Sequence, residues 1–236
     1  MSPAPQPRTR PDAVIFDMDG LMLDTEPLAA RAWAAAAACV GVEFDPGVTS
    51  RLVGRNFPDC RALVRAHHGE RYPVDALMRE WHGAYDALVA REGIALKPGL
   101  LDLLGWLDAE AIPKAVATST RRTRAQAKLE QTRLAHHFAA LVGGDEIPRG
   151  KPEPDIYLEA AARLAVAPAR CVALEDSEPG MHAALEAGMM AIMVPDLAPP
   201  SSALLARAPL VLASLSDVLA HLAALPVAPP AHEPYR

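Results

Sequence analysis

Six short apolar runs, at residues 13–17, 115–118, 141–143, 171–175, 191–194 and 210–212, punctuate a chain of 236 residues. Most are followed by a stretch of helical type, at 122–133, 155–164, 180–187 and 202–206. A strand reads as continuously apolar when both of its faces are covered. Buried strands alternating with helices predict an α/β architecture, a Rossmann-like doubly wound parallel sheet with helices on both faces. In such sheets ligands bind beyond the carboxyl ends of the strands. The residues that close each apolar run are therefore the ones to read for chemistry.

One region breaks the alternation. Between residues 27 and 96 the pattern is helix after helix, at 28–40, 59–67 and 74–92, without a convincing strand. Lys97-Pro98-Gly99 then punctuates a return to strands and helices. The expectation is an α/β core from 11–26 and 97–222, with an inserted α-helical cap at 27–96 lying over the strand ends. Residues 1–10 and 225–236 are rich in proline and polar residues, lack an apolar period, and are expected to be disordered tails.

Composition narrows the class. A net charge of −6 without any lysine- or arginine-rich block makes nucleic acid a poor partner. The longest near-apolar stretch, 32–42, is too short to span a bilayer, so no membrane association is expected. Residues 1–10 carry three prolines and no apolar run, unlike a secretory signal. Cys39, Cys60 and Cys171 are odd in number and irregular in spacing, so neither a disulfide framework nor a zinc site is expected. They read as thiols in a reducing compartment, hence a cytoplasmic protein. A monomer is expected.

Four strand ends carry polar chemistry. The first is Asp17-Met18-Asp19-Gly20, two carboxylates closing a buried strand, which repel unless a cation or proton intervenes. Asp19 can offer a metal its backbone carbonyl and keep its side chain to move a proton. The second is Thr118-Ser119-Thr120, where a hydroxyl and backbone amides entering a helix suit a phosphate oxygen; helix capping is the alternative. The third is Gly150-Lys151-Pro152, a held cation able to neutralise a phosphate, or else a solvated surface lysine. The fourth is Glu175-Asp176-Ser177. Its acids, with Asp17 and the Asp19 carbonyl, offer the hard oxygens that magnesium takes; capping of the next helix is again the alternative. Together the four supply a nucleophile, an acid/base, a hydroxyl, a cation and a metal ligand, the parts needed for phosphoryl transfer through a carboxylate.

In order and spacing these segments, with Asp24-Thr25-Glu26-Pro27, resemble the motifs of the haloacid dehalogenase superfamily of phosphatases. The similar subgroup has a helical cap after the first strand and includes β-phosphoglucomutase. The stretch 189–215 is most similar to the pseudouridine-5′-phosphatase branch. The resemblance implies a magnesium-dependent phosphatase acting on a small phosphorylated metabolite, a sugar phosphate or nucleotide-like compound. It makes Asp17 the nucleophile and Asp19 the acid/base. Thr118, Ser119 and Lys151 hold the phosphoryl group. Asp17, Asp19 and Asp176 hold magnesium, and Glu175 assists from the same turn.

Dehalogenases and phosphonatases of the superfamily lack the second aspartate, so Asp19 argues against both. The mutases carry a histidine where this chain has Ala29, and a cap arginine with which Arg55 is out of register. Hydrolysis is therefore preferred, with a phosphosugar mutase as the alternative and a non-catalytic binding protein on the same fold as the rival of another class. Arg51, Arg55, His67, His68, His82 and Lys97 are candidates to reach a leaving group from the helical region, or are solvated surface. Arg55 comes first because it follows Gly54 in an expected loop. Adjacent His67 and His68 diverge on a helix and are no metal pair. Trp33, Trp81 and Trp106 read as packing.

Overall fold

The computed structural model describes residues 9–52, 54–207 and 209–227. Six strands form one parallel sheet: β1 (Ala13–Phe16), β2 (Lys114–Thr118), β3 (Ala140–Gly143), β4 (Cys171–Glu175), β5 (Met190–Met193) and β6 (Leu210–Val211), in the order β3-β2-β1-β4-β5-β6. The chain leaves β1 to build outward on both sides, so β1 and β4 are neighbours whose connections diverge. Their carboxyl ends face the crevice where such sheets bind ligands.

Each strand alternates its side chains between two covered faces. Val14, Phe16, Val116, Leu141, Val172, Leu174 and Ile192 face one core. That core is completed by α5 (Leu100–Ala109), α6 (Arg122–Gln131) and α10 (Leu215–Ala224). Ala13, Ile15, Ala115, Ala117, Ala173 and Ala191 face the other. These residues, all alanine but Ile15, lie under α7 (Asp155–Leu164), α8 (Glu178–Glu186) and α9 (Ser202–Leu205). The doubly wound α/β architecture expected from the apolar runs is the one observed.

Between β1 and α5 the described residues form four α-helices: α1 (Glu26–Val40), α2 (Thr49–Leu52), α3 (Phe57–His68) and α4 (Val74–Glu92). Pro27 sits in the first turn of α1, and Gly41 ends that helix in the left-handed region at φ 73°. Asn56 caps α3 through a bond from Asp59 N at 2.9 Å. These helices have apolar clusters of their own, centred on Trp33, which stacks on Phe44 with ring centres 5.1 Å apart and meets Trp81 at 5.2 Å. Two linkers join the segment to the sheet and pair with each other: Asp24 N donates to Ala95 O and Lys97 N to Met22 O, both at 2.9 Å. Lys97, offered by the sequence as a substrate contact, instead ties the second linker down, 2.6 Å from Asp196 and 3.4 Å from Asp24.

Helices α2, α5 and α10 stand where the sequence pattern marks no helix. The leucine-rich run of α5 has no clear period, and a short apolar run does not separate helix from strand. At the inner edges of the two expected tails, Arg10 meets Leu225 and Pro226. Arg10 N donates to Pro226 O at 2.9 Å and Arg10 Nε to Leu225 O at 3.3 Å. The Arg10 guanidinium lies 5.4 Å over the Trp106 ring. The remainder of both expected tails lies outside the described residues. Among the described residues no helix is long and apolar enough to cross a membrane.

Candidate active site

Eight polar or charged residues are buried among those described, and six of them stand at the carboxyl ends of β1, β2 and β4 or beside them: Asp17, Thr118, Lys151, Glu175, Asp176 and Ser177. Buried ionisable groups are tolerated only when paired or ligated. How each one is satisfied therefore shows what the site is built to hold.

Lys151 is fully buried, 0% exposed, which removes the solvated alternative. Its ammonium is paired with the Asp17 carboxylate, lies 2.6 Å from Glu175 Oε1 and donates to Ala117 O at 3.1 Å. Burial alone would lower its pKa, but Asp17 and Glu175 hold it above the ordinary lysine value. Glu175 is fully occupied by protein. Oε1 takes Lys151 and, at 2.6 Å, the Tyr157 hydroxyl; Oε2 takes Ser177 Oγ at 2.9 Å and Ser177 N at 3.3 Å. A Cβ at Gly180 would collide with this carboxylate. Glu175 is thus an anchor for Lys151.

Asp176 is the opposite case. Both of its carboxylate oxygens are buried and neither has a partner. Burial first, then the charges of Asp17 and Glu175, push its pKa well above the carboxylate range. Asp17 is pushed up to about 7, mainly by burial, with Lys151 pulling the other way. Ligand atoms of Asp17, Glu175 and Asp176 lie within 4.8 Å of one another. Two orphaned oxygens beside a second carboxylate are what a hard divalent cation would satisfy, so the residues fit magnesium. The capping alternative falls to Ser177, whose Oγ accepts from Gly180 N at 3.2 Å. Gly20, at φ 89°, lies against Asp176, and a Cβ there would collide with Asp176 Oδ2. The turn after Asp19 therefore needs glycine for both conformation and space.

Asp19 turns toward a cavity of about 1120 Å³ between the strand ends and the helical segment. Oδ1 accepts from Thr25 Oγ1 at 2.9 Å and from Lys128 Nζ at 2.6 Å, and Oδ2 from Thr120 Oγ1 at 2.7 Å. Burial favours its neutral form, but the Lys128 charge and these three donors prevail and hold the carboxyl below its ordinary value. Thr118 Oγ1 accepts from Thr120 N at 3.1 Å, at the same strand end as Lys151's bond to Ala117 O. The Ser119 hydroxyl donates to Gly54 O at 2.9 Å, a bond between sheet and helical segment.

Of the leaving-group candidates, Arg55 and His82 line this cavity. The Arg55 Nε donates to Arg51 O at 3.0 Å. His67 and His68 line a separate groove with Asp45 and the end of α1. The sequence motifs contain Thr120 and Glu26 without marking a role for either, and contain neither Lys128 nor Tyr85. A signal for Lys128 was present, since Arg121, Arg124 and Lys128 recur at helical spacing and all three line the cavity. Glu26, in the first turn of α1, also lines it, and burial, then Asp19 and Asp196, push its carboxyl up to about 7.

Comparison with known proteins agrees with this geometry. Residues 11–188 match the family model of the haloacid dehalogenase-like hydrolases. A phosphorylated carbohydrates phosphatase of Thermotoga maritima is 32% identical over 178 residues, 75% of this chain and 82% of that protein. A β-phosphoglucomutase of Bacillus subtilis is 34% identical over 188 residues, 77% of this chain and 82% of that protein. The crystal structure of CbbY from Rhodobacter sphaeroides in complex with phosphate is 30% identical, covers 88% of this chain and 96% of its own, and superposes with a TM-score of 0.73. A matched model spanning most of the chain, on the fold and strand-end chemistry described above, places this protein in the haloacid dehalogenase-like hydrolase family.

Proposed function

We propose that the protein is a magnesium-dependent phosphate monoester hydrolase that acts on a small phosphorylated metabolite through an aspartyl-phosphate on Asp17. The observation that carries this is the buried pair Lys151–Asp17 beside an Asp176 whose oxygens have no partner. That is a nucleophile with its counter-charge and a ready cation ligand, gathered at the carboxyl ends of the central strands β1 and β4. Asp17, the Asp19 carbonyl and Asp176 would hold magnesium, which when bound offsets the charge of the phosphoryl group and the nucleophile.

The Asp17 carboxylate attacks phosphorus and the bond to the leaving oxygen breaks, while Lys151 and Thr118 hold the phosphoryl oxygens. Asp19 gives its proton to the leaving oxygen. It then takes a proton from the water that attacks phosphorus, releasing phosphate and restoring the Asp17 carboxylate. With no substrate beside it, Asp19 is held ionised by the Lys128 charge and by bonds from Lys128, Thr120 and Thr25. An anionic phosphoryl group placed alongside raises its proton affinity, which loads the acid when it is needed.

Residues 27–96 serve as a cap over this site, and residues 11–26 and 97–222 as the catalytic core. The bond from Ser119 to Gly54 and the shared cavity support that division. The cytoplasm is the proposed location, since Cys39, Cys60 and Cys171 are all free. Similarity to a β-phosphoglucomutase keeps phosphosugar mutase chemistry as the second reading. Ala29, half-buried at the cavity wall, is a poor candidate for the proton traffic of a mutase. Magnesium-dependent phosphate release from p-nitrophenyl phosphate tests the activity. Incubation with β-glucose 1-phosphate and a trace of the bisphosphate separates the readings, because glucose 6-phosphate forming faster than free phosphate would establish the mutase.

A further inference from the structure

Asp19 is bonded by donors from three directions, and the three are chemically unequal. Oδ1 accepts from Thr25 Oγ1, in the linker after β1, at 2.9 Å, and from Lys128 Nζ, on α6, at 2.6 Å. Oδ2 accepts from Thr120 Oγ1, beyond β2, at 2.7 Å. A hydroxyl can turn and accept instead of donating. Thr25 even has a second place for its proton, Leu23 O at 3.5 Å. An ammonium carries three donors and no lone pair, so it cannot reverse in this way. While Lys128 stays in place, Oδ1 must remain an acceptor, and a proton on Asp19 has only Oδ2 to occupy.

Lys128 is held in place from both sides. Its side chain is 12% exposed. Tyr85, on α4, is the second neighbour of the ammonium: the ring centre lies 5.1 Å from Nζ, and the phenol hydrogen-bonds it. The cavity has other basic walls, but they are tied elsewhere. Arg124 pairs with Asp86, Arg149 with Glu153 and Asp155, and Arg55 Nε bonds Arg51 O. Arg121 and His82 line the cavity as well. Among the described residues, Lys128 is the only one of these basic side chains that bonds Asp19.

We propose that Lys128 is a positioning residue for the acid/base: it bars Oδ1 and so fixes Oδ2 of Asp19 as the oxygen that carries the proton to the leaving group. This rests on the phosphatase reading and adds to it a residue that acts through Asp19. As the bond between phosphorus and the leaving oxygen breaks, its electron pair stays on that oxygen and the Oδ2 proton joins it. Without Lys128 the proton is divided between two oxygens and the carboxyl can rotate, so fewer encounters present the acid in line with the leaving oxygen.

The test is the dependence of kcat/KM on leaving-group basicity along a series of para-substituted phenyl phosphates, from 4-nitrophenyl to 4-methoxyphenyl phosphate, with magnesium present. Nitrophenolate leaves readily without a proton, whereas methoxyphenolate needs one. Lys128→Met should lower kcat/KM on the order of a hundredfold for the 4-methoxy compound, the lower end of what a general acid contributes, and only about threefold for the 4-nitro compound. The slope therefore steepens. Lys128→Gln, whose amide accepts as well as donates, should behave like Lys128→Met, and it replaces that variant if the latter does not fold. Lys128→Arg, which again has donors only, should keep a slope near that of the wild type. A slope compares substrates within one preparation, so a partly folded sample does not move it. Loss by one common factor along the series is what a structural residue or a direct substrate contact would give. That result, an unchanged slope, or Lys128→Arg as steep as Lys128→Met overturns the proposal. If the wild type releases phosphate from no member of the series, the phosphatase reading has failed and the proposal falls with it. Turnover by the wild type with a slope that ignores Lys128 sinks the proposal alone.

Discussion

Lys151 Nζ and Glu175 Oε1 lie 2.6 Å apart with both side chains wholly buried, and this pair organises the charges of the site. Glu175 holds the ammonium from one side while Asp17 pairs with it from the other. Removing the cation would leave Asp17, Glu175 and Asp176 facing one another without compensation. Lys151→Met should therefore destabilise the protein by roughly 3–5 kcal/mol, the usual cost of breaking a buried pair at one end. Urea unfolding measures it. A loss below about 1 kcal/mol, the range of an exposed ion pair, would show that Lys151 is not structurally committed.

Asp17→Asn should abolish turnover and keep the fold, since amide and carboxylate have nearly the same shape and the strand beneath is unaffected. Phosphate release and circular dichroism are to be followed on the same sample. Substantial turnover by a folded variant would remove Asp17 from the role of nucleophile.

Asp176→Asn separates metal binding from folding. Without metal, its two orphaned oxygens crowd two other carboxylates, so the neutral amide should raise the melting temperature in the presence of chelator. Magnesium should stabilise the wild type, because a cation bound only by the folded state shifts unfolding. That shift should be largely absent in the variant. A variant that is stabilised by magnesium as much as the wild type would show that Asp176 is not a ligand.

Arg55 tests the helical segment on its own. It is half-buried at the cavity wall, with its Nε on Arg51 O. Arg55→Ala should lower kcat/KM for the best metabolite by on the order of tenfold, one charge-assisted hydrogen bond, and p-nitrophenyl phosphate hydrolysis should fall far less. Equal losses on both substrates would mean that the residue supports the fold or the strand-end site instead.

Glu26 predicts a pH dependence of stability. Its carboxyl is raised in the folded state from 4.5 to about 7, so the folded protein binds the extra proton between those values. The Glu26 contribution is favourable at low pH and is lost as pH rises through about 7. In metal-free buffer, Glu26→Gln should melt near the wild type at pH 5 and above it at pH 8. A difference that stays constant across that range would show that the side chain does not titrate in this window.

The sequence by itself determined the parallel sheet and the groups at the carboxyl ends of its strands. A strand covered on both faces must be continuously apolar, and the first polar residue after such a run must stand at the strand's end. Asp17, Thr118 and Glu175 were legible for that reason, and Asp176 by adjacency. Lys151 was legible as a lysine held before a proline, though only the fold showed it to be buried. What tertiary structure alone decided is how neighbouring groups divide the work. Glu175 and Asp176 are adjacent acids in the sequence. Burial beside Lys151 and Tyr157 makes one an anchor, and the lack of any donor leaves the other free for a cation. Ser119 follows Thr118 directly, yet its hydroxyl points to Gly54, because the helical segment docks on that side. Lys128, Glu26 and Tyr85 come from three helices of different origin. They meet at Asp19 only once α6 packs on the sheet and α1 and α4 close over it, and no local pattern records which helix faces will meet.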